Sequence, residues 1–301
     1  MPQTSADWAE ALAPGIREWF GIGYDNRPSY INQLFNVQTS QNAYENFMSM
    51  GSIAPDAWAD YEKSGRPAEV SFDKGYESTF THKEFVVRHK VQRKFIDDNK
   101  YPQVIDGVRQ LGDSAALKRE LDAASVFINA AVATVVGGDA VPLCDNSHPM
   151  SPTKSGTTQD NLDALAISAA NVETVRQKML TVKDDTGNIA GVIPDLLVVP
   201  SALENDAKII TQSDQKVGST DNDINPQKGR LNYMVLPYLT SATQWFLVDS
   251  IKMKQSLFWF DRVPVSVKPE VGDTTLFATW IAYMRYSFGW RDWRWVNRGN
   301  A

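Results

Sequence analysis

The sequence predicts an α+β protein, and three observations carry that prediction. Residues 85–95 alternate apolar and cationic side chains with the period of a β-strand. Residues 102–133 carry apolar side chains at the spacing of an amphipathic helix. Residues 256–301 are rich in aromatic and β-branched side chains, which favour strands. The 301 residues are enough for one large domain or two modest ones.

Composition and charge narrow the classes of function. The net charge of −6 argues against a protein that binds nucleic acid by neutralising phosphates, although it permits one that merely encloses nucleic acid. No apolar run reaches about 18 residues, so no transmembrane helix is expected. The first residues lack the basic and apolar parts of a secretory signal, and we therefore expect synthesis and use in the cytoplasm.

The chain offers few residues that could support catalysis or bind a metal. Its histidines are His82, His89 and His148, and its single cysteine, Cys144, allows neither an intrachain disulfide nor a multi-cysteine zinc site. Odd spacing places His82 and His89 on opposite faces of a strand. Cys144 and His148 lie in a proline-containing loop and provide at most two ligands. We expect no catalytic residue, metal or cofactor, and a hydrolase that uses His148 or Cys144 is the weaker alternative.

Two further short motifs give only weak indications of a ligand-binding site. Residues 221–225 begin like a calcium-binding loop, but Pro226 stands where that loop needs glycine and Asn232 where it needs glutamate. We interpret this stretch as a solvated surface loop. Gly137 and Gly138 belong to no phosphate-binding motif and predict the end of a helix.

Residues 1–60 contain many aromatic side chains without a sustained strand or helix period. These are Trp8, Trp19, Phe20, Tyr24, Tyr30, Phe35, Tyr44, Phe47 and Trp58. Such a segment has apolar groups to bury but no core of its own. One interpretation is an arm that lies across another surface, in its own or a neighbouring subunit. The alternative is a short helix over residues 5–12 followed by loops on the same domain.

Residues 66–96 predict a long β-hairpin. The odd positions from 85 to 95 are mainly apolar and include Phe85 and Val87, whereas the even positions are mainly cationic. Residues 70–72 and 77–81 are also strand-like, and residues 73–75 provide a turn. A two-stranded hairpin is only marginally stable in water, so its edges and apolar face require a partner. Two strands of an ordinary sheet are the alternative.

A long helix is predicted over residues 102–133. Pro102 suits its first turn. The apolar stripe on one face begins with Val104, Val108, Leu111 and Ala115. Gly107 and Gly112 each weaken the helix by about 1 kcal/mol relative to alanine, so tertiary packing must hold it.

Residues 139–250 predict an α/β region. The predicted helices cover residues 168–182 and 201–211, and the second begins with a capping box. The predicted strands cover residues 196–199, 233–236 and 244–248. A polar loop is predicted over residues 213–229.

The C-terminal part, from residue 256, predicts a β-rich region. The predicted strands cover residues 257–260, 263–267 and 277–288, with a turn at residues 269–273. The tryptophan- and arginine-rich residues 290–295 could stack on bases, but the acidic balance of the chain favours a packed or interfacial edge strand.

The order of these parts resembles the major capsid proteins of tailed phages, most closely the Mu-like major head subunit family. The individual stretches that carry the resemblance are residues 76–83, 136–149, 197–200, 220–225 and 285–290. Their ordered set spans about residues 19–290.

The resemblance implies the fold shared by tailed-phage and herpesvirus capsids. In that fold residues 1–60 would be the N-terminal arm and lead-in, residues 61–97 an extended hairpin loop, and residues 137–250 the axial domain. Residues 98–136 and 251–301 would together form the peripheral domain with its spine helix. The hairpin would reach over a neighbouring subunit.

The resemblance also implies a function and partners. Copies would assemble into pentamers and hexamers of an icosahedral shell that encloses phage double-stranded DNA without sequence preference. The shell would form in the host cytoplasm without membrane contact, and scaffolding, portal and decoration proteins would be further partners. Scaffolding is expected to be a separate protein. Contacts between subunits are expected at Tyr76, Phe80, Phe85, Val87, Arg88, Lys90, Lys94, Glu270 and Asp273.

Two further alternatives stay open at this point. An encapsulin-like bacterial nanocompartment shell would have the same fold but would hold cargo enzymes. A tail-tube or adhesion protein would form rings or fibres in place of closed shells.

Overall fold

A computed structural model describes residues 5–53, 74–92, 100–153, 157–215, 223–270 and 277–300, together with residues 55–58 and single positions between 60 and 98. Helices and strands both contribute large parts of these residues, which confirms the predicted α+β class. None of the helices in these ranges is both long and apolar enough to span a bilayer.

The helices and strands are numbered in chain order. The helices are α1 (Ser5–Asp25), α2 (Ile31–Leu34), α3 (Tyr101–Ile128), α4 (Ala169–Leu180), α5 (Glu204–Gln212) and α6 (Ser250–Ser256). The strands are β1 (Asn36–Thr39), β2 (Tyr44–Met50), β3 (Lys74–Thr81), β4 (Lys83–Gln92), β5 (His148–Pro149), β6 (Thr158–Gln159), β7 (Leu162–Asp163), β8 (Leu196–Val199), β9 (Asn232–Val235), β10 (Trp245–Val248), β11 (Leu257–Glu270), β12 (Phe277–Trp290) and β13 (Val296–Gly299).

Two sheets organise the described residues. The first has the order β1-β11-β12-β4, with β1 parallel to β11 and the other neighbours antiparallel. The second has the order β7-β13-β10-β8-β9. Strands β2 and β3 form a separate two-stranded ribbon, as do the short strands β5 and β6. Strand β4 is therefore an edge of the first sheet.

The hairpin differs from the predicted one in its pairing. Strand β3 pairs with β2, with Met48 opposite Glu77, whereas β4 pairs with β12 along its whole length. The pairing predicted within residues 66–96 is therefore wrong for β3 and β4, because local alternation does not identify a partner strand far away in the chain. The predicted turn is also wrong at Lys74 and Gly75, which lie in β3, while residues 71–73 lie outside the described residues.

Helix α3 confirms the predicted long helix, but it ends earlier than predicted. Its last residue is Ile128, and the backbone N–H of Asn129 bonds back to the carbonyl oxygen of Ser125. Gly137 and Gly138 therefore do not end it. A Cβ on Gly138 would lie 2.7 Å from the carbonyl oxygen of Glu77, so this glycine permits close approach of the hairpin.

Helices α1 and α3 cover one face of the first sheet. Their shared apolar cluster consists of Ile16, Phe20, Val91, Val104, Val108, Val267, Ala278, Trp280 and Ala282. A Cβ on Gly112 would overlap the carbonyl oxygen of Phe20, and one on Gly23 would overlap that of Arg109. Glycines on both helices thus allow their backbones to approach closely.

The N-terminal segment lies on the first sheet of its own chain and is more regular than the predicted short helix with loops. Helix α1 has 21 residues and packs on its own chain, and β1 continues the first sheet. Pro14 and the glycines Gly15, Gly21 and Gly23 lower helix propensity, which hides this helix from sequence inspection.

The second sheet and α4 form the main core, largely as predicted. Val172, Val175 and Met179 of α4 are buried, and the Ser168 hydroxyl accepts a hydrogen bond from the Asn171 backbone N–H at 3.1 Å. The predicted capping box before α5 is wrong. Residues Ser201–Leu203 form a 3-10 turn, and no side chain caps α5.

The C-terminal strands are longer than predicted. The two short strands predicted between residues 257 and 267 form one strand, β11, interrupted by irregular pairing near Val263. Pro269 and Glu270 still belong to β11, so the predicted turn does not start at residue 269, and residues 271–276 lie outside the described residues. Trp293 and Trp295 are buried, which confirms that residues 290–295 pack inside the protein. Both lie between β12 and β13 in the chain and do not form an edge strand.

Candidate assembly surface

Strand β2 presents an apolar face that the described residues leave uncovered. Alternate side chains point to this face, and Tyr44, Met48 and Met50 are 56%, 57% and 73% exposed. We call these three residues the hairpin face. Large exposed apolar side chains on one side of a two-stranded ribbon are typical of a surface that another chain covers. Sequence inspection missed this strand, because apolar and polar residues mix on both of its faces.

The other side of the hairpin is anchored by aromatic rings. Phe47 of β2 stacks on Phe258 at 5.4 Å and on Phe260 at 5.7 Å between ring centroids, and Phe80 lies 5.9 Å from Phe47. The guanidinium of Arg291 lies 5.2 Å from the Phe47 ring centre. Phe80, a predicted contact with another subunit, is therefore buried within its own chain.

Tyr76 and Phe85 also contact their own chain. The Tyr76 hydroxyl donates to the carbonyl oxygen of Pro149 at 3.4 Å, and partial burial raises the pKa of Tyr76. The ring of Phe85 stacks on Tyr286 at 4.7 Å, with the Lys118 ammonium 5.0 Å from its centre. Both residues position the hairpin and the sheet, and a direct role between subunits stays a prediction for them.

The outer face of β4 forms a second uncovered surface. Arg88 and Lys90 are exposed on the even side of the strand, as predicted, and Val86 and Val87 are each more than half exposed. Val86, Arg88 and Lys90 share one face of the strand, which we call the β4 surface. Val87 points to the opposite face, where its neighbour Ala282 belongs to the cluster under α1 and α3. Lys94 is also exposed. Because β4 is an edge strand, the β4 surface lies next to backbone groups that no neighbouring strand of the first sheet pairs with.

The cationic part of the β4 surface has one partner in its own chain. The Arg88 guanidinium contacts the Glu270 carboxylate at 2.5 Å across β12, and both side chains keep solvent contact. The structure therefore brings Arg88, Lys90 and Glu270 to one side of the sheet. Asp273, the remaining predicted contact, lies outside the described residues.

The residues that could suggest an enzyme are sealed inside the protein. The His148 ring stacks on Trp293 at 4.1 Å, and its Nδ1 and Nε2 atoms lie 2.7 Å from Asp139 and 3.1 Å from Asn161. Asp139 is a group that orients the His148 ring, and sequence inspection missed it. His148 nevertheless has no exposed surface at which it could meet a substrate. Among the ranges that the structure covers, no group of three or more side chains could hold a metal ion.

The reactivity of Cys144 tests directly whether these residues are sealed inside the protein. The thiol is buried, and burial raises its pKa, so little reactive thiolate forms near neutral pH. We expect native protein at pH 8 to react with iodoacetamide at least about 100-fold more slowly than protein unfolded in guanidinium, because only the thiolate attacks. Mass spectrometry of the alkylated protein measures both rates. Equal rates would show that Cys144 is accessible and would reopen the hydrolase alternative.

The chain matches known capsid proteins. Residues 76–298 match a family model described as phage capsid protein. No curated protein sequence matches the chain. Among solved structures, the chain resembles the mature capsid of bacteriophage PhiM1, with a TM-score of 0.56 and 12% identity over 91% of this chain and 87% of that one.

Two further solved structures show the same likeness. Mycobacterium phage Patience gives a TM-score of 0.56 and 12% identity over 98% of this chain and 87% of that one. The virus-like particle from Pyrococcus furiosus gives a TM-score of 0.53 and 8% identity over 96% of this chain and 99% of that one. At these identities the likeness establishes a shared fold. Because the family model spans well over half of the sequence, this chain belongs to the phage capsid protein family.

Proposed function

We propose that copies of this chain are the major capsid subunits of a tailed phage, which assemble as pentamers and hexamers of an icosahedral shell around double-stranded DNA. The observation that carries this proposal is the hairpin face, which the described residues leave uncovered in a chain that belongs to the phage capsid protein family. A structural role agrees with the burial of Cys144 and His148. The family match does not favour a hydrolase.

The proposed partners follow from the same role. The main partner is another copy of this chain, and scaffolding, portal and decoration proteins are further partners during assembly in the host cytoplasm. The net charge of −6 suits a wall that encloses DNA without holding it tightly. We therefore expect enclosure of DNA without sequence preference.

Charge complementarity supports one specific contact between neighbouring copies. The segment that joins β2 to β3, residues 51–73, is acidic, with Asp56, Asp60, Glu62, Glu69 and Asp73 against Lys63 and Arg66. The β4 surface contributes Arg88 and Lys90. We propose that this acidic segment of one subunit binds the β4 surface of the next. Exposed ion pairs contribute only about 0–1 kcal/mol each, so they would set the register of the contact while apolar burial on the hairpin face supplies most of the energy.

Charge reversal tests this contact. We expect Arg88→Glu combined with Lys90→Glu to prevent shell closure, because like charges would then face each other. The free energy of unfolding of the monomer should change by no more than about 1 kcal/mol, since both side chains are exposed. Size-exclusion chromatography and electron microscopy measure assembly, and chemical denaturation measures stability.

Two control variants separate the contact from local effects. Arg88→Lys with Lys90→Arg keeps the charge and should assemble normally. Glu270→Gln removes the internal partner of Arg88 but leaves the β4 surface cationic, and it should also assemble. Normal shells from the charge-reversal variant would contradict the proposed contact.

A further inference from the structure

Four side chains form a directed hydrogen-bond chain at the base of the hairpin. His82 is 5% exposed, and its Nε2 and Nδ1 atoms lie 3.1 Å from Ser40 Oγ and 2.9 Å from Ser287 Oγ. Ser40 Oγ also lies 2.5 Å from Glu45 Oε1. Because a carboxylate only accepts, the Ser40 hydroxyl donates to Glu45 and accepts from His82 Nε2–H. The neutral Nδ1 atom of His82 then accepts from the Ser287 hydroxyl.

This chain lies where both hairpin strands leave the body of the protein. Ser40 follows β1 and precedes β2, His82 joins β3 to β4, and Ser287 belongs to β12. The backbone N–H of Asn42 also donates to Ser40 Oγ at 3.1 Å. The two entry points of the hairpin are therefore tied together and to the first sheet by one histidine.

Two open cavities border the hairpin beyond its base. An open cavity of about 470 Å³ is lined by Met50 and Tyr76 of the hairpin, among others. A second cavity of about 510 Å³ lies along β3 and is lined by Thr79 and Phe80. The hairpin also contacts the body at Tyr76 and Glu77, so the chain of four side chains at its base is one of several contacts that hold it in place.

We propose that Ser287, His82, Ser40 and Glu45 form a pH-sensitive latch that ties the base of the hairpin to the first sheet and loosens when His82 takes up a proton. The proton comes from water and binds Nδ1, which is the acceptor in the closed latch. The Ser287 hydroxyl then loses its acceptor and must rotate. The proposal concerns the single subunit and does not depend on shell formation.

The surrounding charges oppose protonation of His82. Burial lowers its pKa below the usual 6.5, and Arg285 from β12 and Arg262 from β11 lower it further. Glu45 from β2 acts in the opposite direction. Because the pKa is lower in the folded than in the unfolded chain, the latch keeps its stability above about pH 6.5 and loses it as the pH falls through the folded pKa.

Hydrogen exchange of the hairpin amides tests the latch. We expect protection of β2 and β3, corrected for the intrinsic pH dependence of exchange, to fall at least about fivefold between pH 7.5 and pH 5, while β10 keeps its protection. His82→Gln retains a donor and an acceptor but does not titrate, so its hairpin protection should not change with pH.

The matched control is His89→Gln. His89 also lies in a strand that follows the hairpin, and burial lowers its pKa too, but it packs against Trp280 away from the hairpin base. This variant should keep the wild-type pH response. If His82→Gln does not fold, Ser287→Ala should show at pH 7.5 the exchange of wild type at pH 5. Unchanged hairpin protection in wild type, or a measured His82 pKa at or above 6.5, would overturn the proposal.

Discussion

Replacing residues 49–76 with an Asn-Gly turn is expected to abolish shell formation while the subunit still folds. Met48 and Glu77 are opposite each other in the ribbon, so a two-residue type I′ turn can join them without changing the register. The aromatic anchor at Phe47 and Phe80 is retained. Met50 and the acidic segment are lost, and with them the part of the hairpin that we propose binds the β4 surface of the next subunit.

Assembly and folding are measured separately for this variant. We expect only monomers or small oligomers in electron micrographs, and a free energy of unfolding within about 1 kcal/mol of wild type, because shortening a loop has a small entropic effect. The deletion also removes the hydrogen bond from Tyr76 to Pro149. Tyr76→Phe removes that bond alone and should still assemble. Closed shells from the truncated chain would show that the hairpin is not required.

Substituting Gly112 with alanine is expected to have the largest effect on the stability of the subunit. The new Cβ would overlap the carbonyl oxygen of Phe20, which is backbone and cannot rotate away. Helix α1 would have to shift from α3, at a cost of about 2–3 kcal/mol in the free energy of unfolding. Guanidinium denaturation of wild type and variant measures the difference.

Gly21→Ala is the matched control for this substitution. Gly21 is likewise a helical glycine, in α1, but a Cβ there would meet no atom within 4 Å. Alanine should stabilise the helix by up to about 1 kcal/mol through its higher propensity. If Gly112→Ala were as stable as Gly21→Ala, helix α1 would not pack on its own chain, and the N-terminal segment would again be a candidate arm.

Elements with strong local patterns could be predicted from the sequence. The apolar residues of α3 and α4 repeat at helical spacing, and the exposed cationic side of β4 follows from simple alternation. These patterns reflect which side of an element is buried, and each element carries that information itself. For the same reason Arg88 and Lys90 were placed correctly on an exposed face.

Contacts between distant parts of the chain could not be predicted in the same way. The pairing of β2 with β3 and of β4 with β12 depends on shape and register across long loops. The close contact of α1 with α3 uses glycines, which suggest a weak helix when the sequence is read alone. The ion pair of Arg88 with Glu270 joins residues on strands that β12 separates.

Electron microscopy of the purified chain at assembly-competent concentration tests the central claim most directly. We expect closed, uniform shells, and we expect Tyr44, Met48 and Met50 to become protected from solvent labelling only when those shells form. A protein that stays monomeric at high concentration, or that forms open rings or fibres, would contradict the assignment.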